Sequence, residues 1–482
     1  MLQLFPDQIE VMNDLRAAMK RSKSVLLQSP TGSGKTAMAT HMVMNSAGRG
    51  NRMLFSVPRR DLLTQTSQTF LKYNVNHSFV AAGKDYNPFA QTYLGMVDTM
   101  ANRIDHLPRV HTAVIDETSF GDAALGSVIA RFKEPWLDTT TGKIVTPWVI
   151  GLDATPWKMN GQGLGIWYNE MVQGKSVRFL IDNKRLSQYK YFYGRPRADY
   201  AALRNKSDKE IAEYMENQRL IIGDCVHDYQ LRGMGKIWLT RCTSIKHSER
   251  TAEAFRDAGI AAMHVDGTTP EDKKTAIFKA YARREIKVVT FSDLLTFGFD
   301  LAQTTGIDVC VEGGSDQKPT KSLRSQMQWW GRLLRYKEEP AIINDHVNNY
   351  LVEGFGLPCS DRIWTLDSLK KRAGGEKVPP TKQCPNCFFV HAPAPNCPEC
   401  GTVYEIDSRT TKHIDGELEE ADIEKLRIIE DRKKKDERKR RGLEEFQCET
   451  LDDWKALARK RGYKTGWAIM RFQKMKPREK VQ

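Results

Sequence analysis

The sequence predicts an α/β chain: two parallel-sheet domains in tandem, followed by a small cysteine module and a basic helical tail. Three observations carry that prediction. Short apolar runs alternate with helical patterns over residues 1–185, the same rhythm restarts after residue 230, and only the first half holds a glycine-rich turn between a strand and a helix. A length of 482 residues accommodates two or three domains with separate cores.

In the first domain, 1–185, Ser24–Ser29 reads as a buried strand and Lys35 to about Ala47 as a helix. Met53–Val57, Ala113–Ile115 and Trp148–Leu152 read as further buried strands. Residues 186–230 are polar and mixed, and read as a connector with one or two helices. In the second domain, 231–372, strands are expected at 236–240, 262–265, 287–291, 307–311 and 341–343, with helices over 245–258, 270–283 and 322–335. Gly374-Gly375 and Pro379-Pro380 then punctuate a linker. The cysteine module spans 380–403, a charged helix or linker 404–446, and a basic segment 447–482.

Composition narrows the partners. A net charge of +14 points towards polyanions. Hydrophobic content of 40% and charged content of 28% are those of a soluble globular protein. No apolar run reaches the ~18 residues of a membrane span, so no membrane partner is expected. The first residues lack a basic region followed by an apolar stretch, so no signal peptide is expected. Nine cysteines, with one cluster of four, fit a reducing cytosol better than a disulfide framework.

Ser29-Pro-Thr-Gly-Ser-Gly-Lys-Thr36, between strand and helix, has the form of a phosphate cradle. Gly32 and Gly34 let backbone N–H groups converge on phosphate oxygens, with Thr31 before them and Ser33 between them, and the helix N-terminus adds a favourable dipole. Lys35 is expected to neutralise the β- and γ-phosphates of ATP and Thr36 to ligate Mg²⁺. Asp116 and Glu117 end an apolar strand, the edge at which open α/β sheets bind ligands. Asp116 is the expected holder of Mg²⁺ through its water shell, and Glu117 the base or orienter of the attacking water. Far downstream, Gln328, Arg332 and Arg335 recur at i, i+4 and i+7, so a helix there would present all three on one face. Arginines on it could reach a γ-phosphate only when the two domains close.

With Asp153-Ala-Thr-Pro156, Thr296–Asp300 and Gln328–Arg335 in the same order, residues 1–370 resemble superfamily 2 helicases of the DExH kind. Within these the chain looks most like the RadD-like group of bacteria and phages, related to the motor subunits of type I and type III restriction enzymes. The resemblance implies two RecA-like lobes with ATP between them, and an ATP-dependent helicase or translocase acting on single-stranded, forked or branched DNA. Strand annealing, branch remodelling, service to a restriction nuclease, or RNA unwinding share every motif. A single-strand-binding protein or a nuclease is the partner class implied, and the cytoplasm of a bacterial or phage-infected cell the location.

By the same resemblance, Gln8 reads adenine. Arg59, Arg60 and Thr92 (or Asp98-Thr99) contact the nucleic-acid strand from the first lobe, and Thr296 contacts its backbone from the second. Gly298 and Asp300 face the nucleotide, Thr155 couples ATP to nucleic acid, and Gln328, Arg332 and Arg335 close the site. Two positions depart from the pattern. Ser119 stands where relatives often have His or Asp, and Asp153 where Ser or Thr is commoner.

Cys384-Pro-Asn-Cys387 and Cys397-Pro-Glu-Cys400 present four thiolates in two Cys-x-x-Cys turns, which suit a structural Zn²⁺. An iron–sulfur cluster and redox-active thiols use the same spacing. A spacer of nine residues leaves room for a small hairpin. The run 432–441 reads as a solvated helix or arm. Residues 448–482 carry ten Lys/Arg against four Asp/Glu, with Trp454, Tyr463, Trp467 and Phe472 interleaved. That mixture serves base stacking or the packing of a small helical domain equally well.

Overall fold

A computed structural model describes residues 2–139, 141–193, 203, 206–216, 219–292, 301–352 and 354–368, with shorter stretches at 382–383, 390–391, 401, 419–420, 448, 450–461 and 465–473. Residues 1–420 form one compact unit and 421–482 another.

The first lobe is a seven-stranded parallel sheet. Its strands are β1 (Ser24–Gln28), β2 (Met53–Val57), β3 (Ser78–Val80), β4 (Thr92–Met96), β5 (Thr112–Asp116), β8 (Trp148–Asp153) and β9 (Glu170–Gln173), in the order β3-β4-β2-β5-β8-β1-β9. A short hairpin, β6 (Trp136–Asp138) and β7 (Lys143–Val145), lies outside it. Every β1 residue is buried, and its neighbours alternate between two cores. Val25 and Leu27 pack with Val11, Val43 and Phe55 on one face, while Leu26 packs with Tyr93, Ile115 and Ile129 on the other. Each fully buried aliphatic side chain contributes ~1.5–3 kcal/mol.

The second lobe repeats the plan with β10 (Tyr189–Tyr193), β11 (Trp238–Arg241), β12 (Ala262–His264), β13 (Val288–Phe291), β14 (Gly313–Asp316), β15 (Ala341–Asp345) and β18 (Glu419–Glu420). Their order is β12-β13-β11-β14-β15-β10-β18, parallel except for β18. Two expectations need correction here. The strand expected at 307–311 is absent; the sheet instead takes Gly313–Asp316, because Trp238 lies where a side chain on Gly313 would stand. The stretch expected as a connector contributes β10 to the sheet, paired in register with β15, and the helix Arg219–Arg232, whose Cys225 and Tyr229 pack in the second core.

After β15 the chain returns to the first lobe as a strap over 357–368. Trp157 Nε1 donates to the Asp367 carbonyl at 2.9 Å, Gly165 N–H to that of Leu366 at 2.9 Å, and Leu366 joins a first-lobe core. Arg362 anchors the other end, donating to the Leu357 and Ser360 carbonyls at 2.8 Å.

Beyond the strap, β16 (Lys382–Gln383) pairs antiparallel with β17 (Val390–His391). In sequence the first Cys-x-x-Cys positions fall between these two strands. Cys384, Cys387, Cys397 and Cys400 lie outside the described residues, as do 432–441; among the described residues no His, Cys, Asp or Glu group could hold a metal. In the second unit the helices Leu451–Arg461 and Thr465–Gln473 pack together, and Trp454 is buried with Cys448, Leu457 and Ala468. Trp454 is therefore a packing residue. Phe472 stays exposed, and the side chains of Tyr463 and Trp467 lie outside the described residues. Among the described residues no helix is long and apolar enough to cross a membrane.

Candidate functional site: a nucleotide site divided between two lobes

Strand register sets the site. Gln28 at the end of β1 pairs with Asp153, and Asp116 at the end of β5 pairs with Leu152, so three carboxyl ends lie side by side. From β1 the chain turns through Gly32 and Gly34, both at φ +85°, into the helix Lys35–Ala47. Gly34 needs this left-handed backbone, and a Cβ there would lie 2.3 Å from Gln8 Nε2.

Gln8 is held against the loop at both ends of its amide. It accepts the Phe5 N–H at 3.0 Å and donates to the Ser33 carbonyl at 2.9 Å. Its side chain thus braces the phosphate loop and marks the side on which a base would lie. Ser29, where the strict phosphate-loop pattern has glycine, pairs its hydroxyl with that of Ser33 at 2.8 Å. Lys35 folds back onto the Ser29 carbonyl at 3.0 Å. Thr31 Oγ1 is buried with no hydrogen-bond partner among the described residues. A cationic amine capping loop carbonyls and an orphaned hydroxyl on a positive-φ loop fit a phosphate group. Thr36 follows on the first helical turn.

Asp116 Oδ1 accepts the Glu117 N–H at 3.0 Å, and Glu117 itself is left-handed at φ +48°, a conformation non-glycine residues hold only under constraint. Both carboxyls are pushed up. For Asp116 the causes are burial and then the charge of Glu117; for Glu117 they are burial and then Asp153, opposed by Lys35, Arg324 and Arg332.

The second lobe reaches this cluster through the helix Leu323–Leu333. Gln328 Nε2 donates to Glu117 Oε2 at 2.9 Å. Gly331 faces the phosphate loop so closely that a Cβ would come within 2.4 Å of Thr31. Arg332 is buried and its charge acts on Glu117. The same-face expectation is right for Gln328 and Arg332 and wrong for Arg335. The helix ends before Arg335 because the incoming chain captures its last carbonyls: Ser187 N–H donates to Leu334 at 2.9 Å and Ser187 Oγ to Arg335 at 2.8 Å. Arg335 instead bridges Leu186, whose side chain overlies Gly32.

The third member of the helical face is Arg324, four residues before Gln328. Its guanidinium lies 4.0 Å from the Phe120 ring centre, and Arg59 approaches the same ring at 5.5 Å. Arg324 and Phe120 escaped the sequence reading, although the i−4 spacing from Gln328 was a usable signal. The helix is fixed from behind by Arg241, whose Nε and Nη2 grip Asp316 at 2.9 and 2.6 Å while Nη2 also donates to Gln326 at 2.6 Å.

The expected nucleic-acid residues separate. Arg59 lies beside the DExx box and Arg60 is exposed, but Thr92 is buried at the amino end of β4, the edge opposite the phosphate loop. A buried side chain on that edge cannot meet a nucleic-acid strand, so Thr92 does not fit the expected contact. Asp98 and Thr99 follow the carboxyl end of β4, on the same edge as the phosphate loop. Thr296, Gly298 and Asp300 lie outside the described residues.

Residues 1–118 match the family model of the type III restriction enzyme res subunit. A 51.5 kDa protein of Lactococcus phage is 30% identical over 417 residues, covering 85% of each chain. The putative ATP-dependent helicase IRC3 of Saccharomyces cerevisiae is 23% identical over 344 residues, 67% of this chain and 48% of that one. The chain belongs to the superfamily 2 helicases, among the type III restriction-like motors.

The solved structures it resembles are more distant. A type ISP restriction-modification enzyme, LlaBIII, described as bound to DNA, aligns at a TM-score of 0.49 and 16% identity over 71% of this chain and 27% of its own. The Hef helicase domain of Pyrococcus furiosus aligns at 0.43 and 14% identity, over 71% of this chain and 96% of its own. The chain spans about half of the yeast helicase and about a quarter of the restriction enzyme.

Proposed function

We propose that this chain is an ATP- and Mg²⁺-dependent motor that couples hydrolysis to movement on, or remodelling of, DNA in the cytoplasm of a bacterial or phage-infected cell. The observation that carries the reading is the Gln328–Glu117 hydrogen bond, which joins the residue suited to activate water to a helix of the other lobe. Glu117 is then competent only when the lobes meet, and hydrolysis is tied to lobe motion.

Lys35 and the loop N–H groups bind and orient the triphosphate, and Thr36 and Asp116 are suited to hold Mg²⁺, which supplies charge neutralisation when bound. Glu117 takes or orients the proton of the attacking water. Arg332, one helical turn from Gln328, stabilises charge on the leaving phosphate, with Arg335 entering from the connector side. Burial of the carboxyls beside cationic groups excludes bulk water, so each of these charges acts strongly. The basic balance of the chain favours grip through phosphates, giving little base preference and strong salt sensitivity. Cys384, Cys387, Cys397 and Cys400 are read as a structural zinc site, on the donor chemistry of four thiols, the first two of which fall between the paired strands 382–383 and 390–391.

The test is ATP turnover of the full chain with single-stranded, duplex and forked DNA and with RNA. Lys35→Ala is expected to abolish turnover, and Glu117→Gln to bind ATP without releasing product. Parental rates in both variants would sink the site assignment, and stronger stimulation by RNA would overturn the DNA assignment.

A further inference from the structure

The helix Leu323–Leu333 meets the segment bearing Glu117 at two points. Gln328 bonds Glu117, and one turn earlier the Arg324 guanidinium lies 4.0 Å from the centre of the Phe120 ring. The two partners in the first lobe are also one turn apart. Thr118–Phe120 is a single 3₁₀ turn, closed by the Phe120 N–H on the Glu117 carbonyl at 3.0 Å. Three residues of 3₁₀ helix rise about 6 Å, and so do four residues of α-helix. The two elements therefore match in pitch and meet in reversed order, Arg324 against Phe120 and Gln328 against Glu117.

Both elements are anchored from behind. The 3₁₀ turn is tied down by the Ser119 N–H on Asp153 Oδ2 at 2.6 Å and by the paired hydroxyls of Thr118 and Tyr168 at 2.8 Å. Gly121, which ends the turn, lies so close to Leu125 that a Cβ would come within 2.1 Å of it. The helix is held by Arg241 through Asp316 and Gln326. Arg324 is buried on the first turn of that helix, where the helix dipole disfavours a cation. A residue placed against local preference points to a role outside its own helix.

We propose that Arg324 and Phe120 are the register key of the divided site: seated together, they select Gln328, and not a residue one turn away, as the partner of Glu117. The neighbouring register is attractive in itself. A shift of one helical turn would carry Arg332 to Glu117, and the ion pair formed would draw its guanidinium away from the triphosphate. In the seated register a neutral amide meets Glu117, and Arg332 lies one turn further on, beside the Gly331 that faces the phosphate loop. An aromatic ring suits the key, because its face takes a desolvated cation and offers nothing to a glutamine amide of comparable strength. Arg59 approaches the same ring from the first lobe at 5.5 Å and adds to its anchoring. Arg324 and Phe120 are thus positioning residues that act through Gln328 and Glu117. Their role rests on the hydrolytic reading of Glu117, whereas the seating itself rests on the contact.

The experiment uses the full chain with Phe120→Leu, Arg324→Met and the two together, Phe120→Tyr as the conservative variant, and Gln328→Ala alone and with Arg324→Met. Each is read by ATP turnover at saturating DNA and by thermal denaturation. Phe120→Leu and Arg324→Met are each expected to lower kcat about thirtyfold, and the pair to lower it by about thirtyfold as well, not by the product. The KM for ATP stays within about threefold, and Phe120→Tyr, which keeps the ring face, stays within about threefold of the parental kcat. Gln328→Ala is expected to cost about tenfold in the parental chain but less than about threefold on top of Arg324→Met, where its register is already lost. Equal costs of Gln328→Ala in the two backgrounds would reduce Arg324 to a packing role and refute the key. So would a parental kcat in Phe120→Leu or Arg324→Met, or losses that multiply in the pair. If the parental chain does not turn over ATP, the motor reading falls and the register role with it. The melting shifts of Phe120→Leu, Arg324→Met and the pair then decide the seating alone, which non-additive shifts uphold and additive shifts refute.

Discussion

Replacing Arg332 by alanine tests the divided site most directly. Its side chain is 5% exposed, and it follows Gln328 by one turn on the face that meets Glu117. Around Glu117 the buried carboxylates of Asp116 and Asp153 are set against the cationic groups of Lys35, Arg324 and Arg332. Removing Arg332 takes one positive charge from this cluster, where an anionic triphosphate must enter and gain charge. A unit pair about 6 Å apart in an effective dielectric near 20 is worth about 3 kcal/mol, or roughly a hundredfold in rate. An arginine finger adds geometric stabilisation on top, bringing the expected fall in kcat to about 10²–10³. Arg332→Lys keeps the charge but loses the planar fork, and should fall about tenfold. Phosphate release at saturating DNA, with ATP titrated, separates kcat from KM. A kcat for Arg332→Ala within about threefold of parental would refute the argument, and equal losses in both variants would show that charge is not the quantity that matters.

Two further outcomes are expected. His247 is buried and accepts from Thr243 Oγ1 at 3.0 Å through Nδ1, and burial lowers its pKa from 6.5 to about 4. The unfolded chain therefore takes up this proton first as pH falls. Stability present above pH 6.5 is lost towards pH 4, at a cost of about 2 kcal/mol by pH 5. His247→Asn should shrink the drop in melting temperature between pH 7 and 5, and an unchanged drop would refute it. The cysteine module should release a single zinc ion on titration with a mercurial reagent; a zinc-free chain by elemental analysis would refute the assignment.

What could be read from sequence was what local chemistry dictates. The β1 strand and the helix from Lys35 were read with nearly correct ends, because a buried apolar run, a positive-φ glycine turn and a helix start are determined within a few residues. β14 was misplaced because Gly-Gly-Ser-Asp has no apolar pattern and is a strand through its pairing with β11 and β15, with Trp238 packed where a side chain on Gly313 would stand. β10 hid in the polar connector because its pairing with β15 spans some 150 residues. At the site, Gln328 and Arg332 come beside Glu117 and share its cluster with Lys35 and Asp116, a meeting across lobes that spacing alone does not give. Arg335 left the helical face because tertiary capture by Ser187 ended the helix, which periodicity cannot register. Arg324 and Phe120 needed the two lobes to be seen together.

The strap over 357–368 gives the molecule a second crossing between lobes, beside the one that runs through the helix Val177–Asp182. A body hung from one cable can swing about any axis, whereas one hung from two turns chiefly about the line joining them. The second lobe is thus held as a door rather than a pendulum, and any parting of the lobes would be greatest on the side away from both crossings. A substrate too thick to slide between the lobes would be admitted from that side.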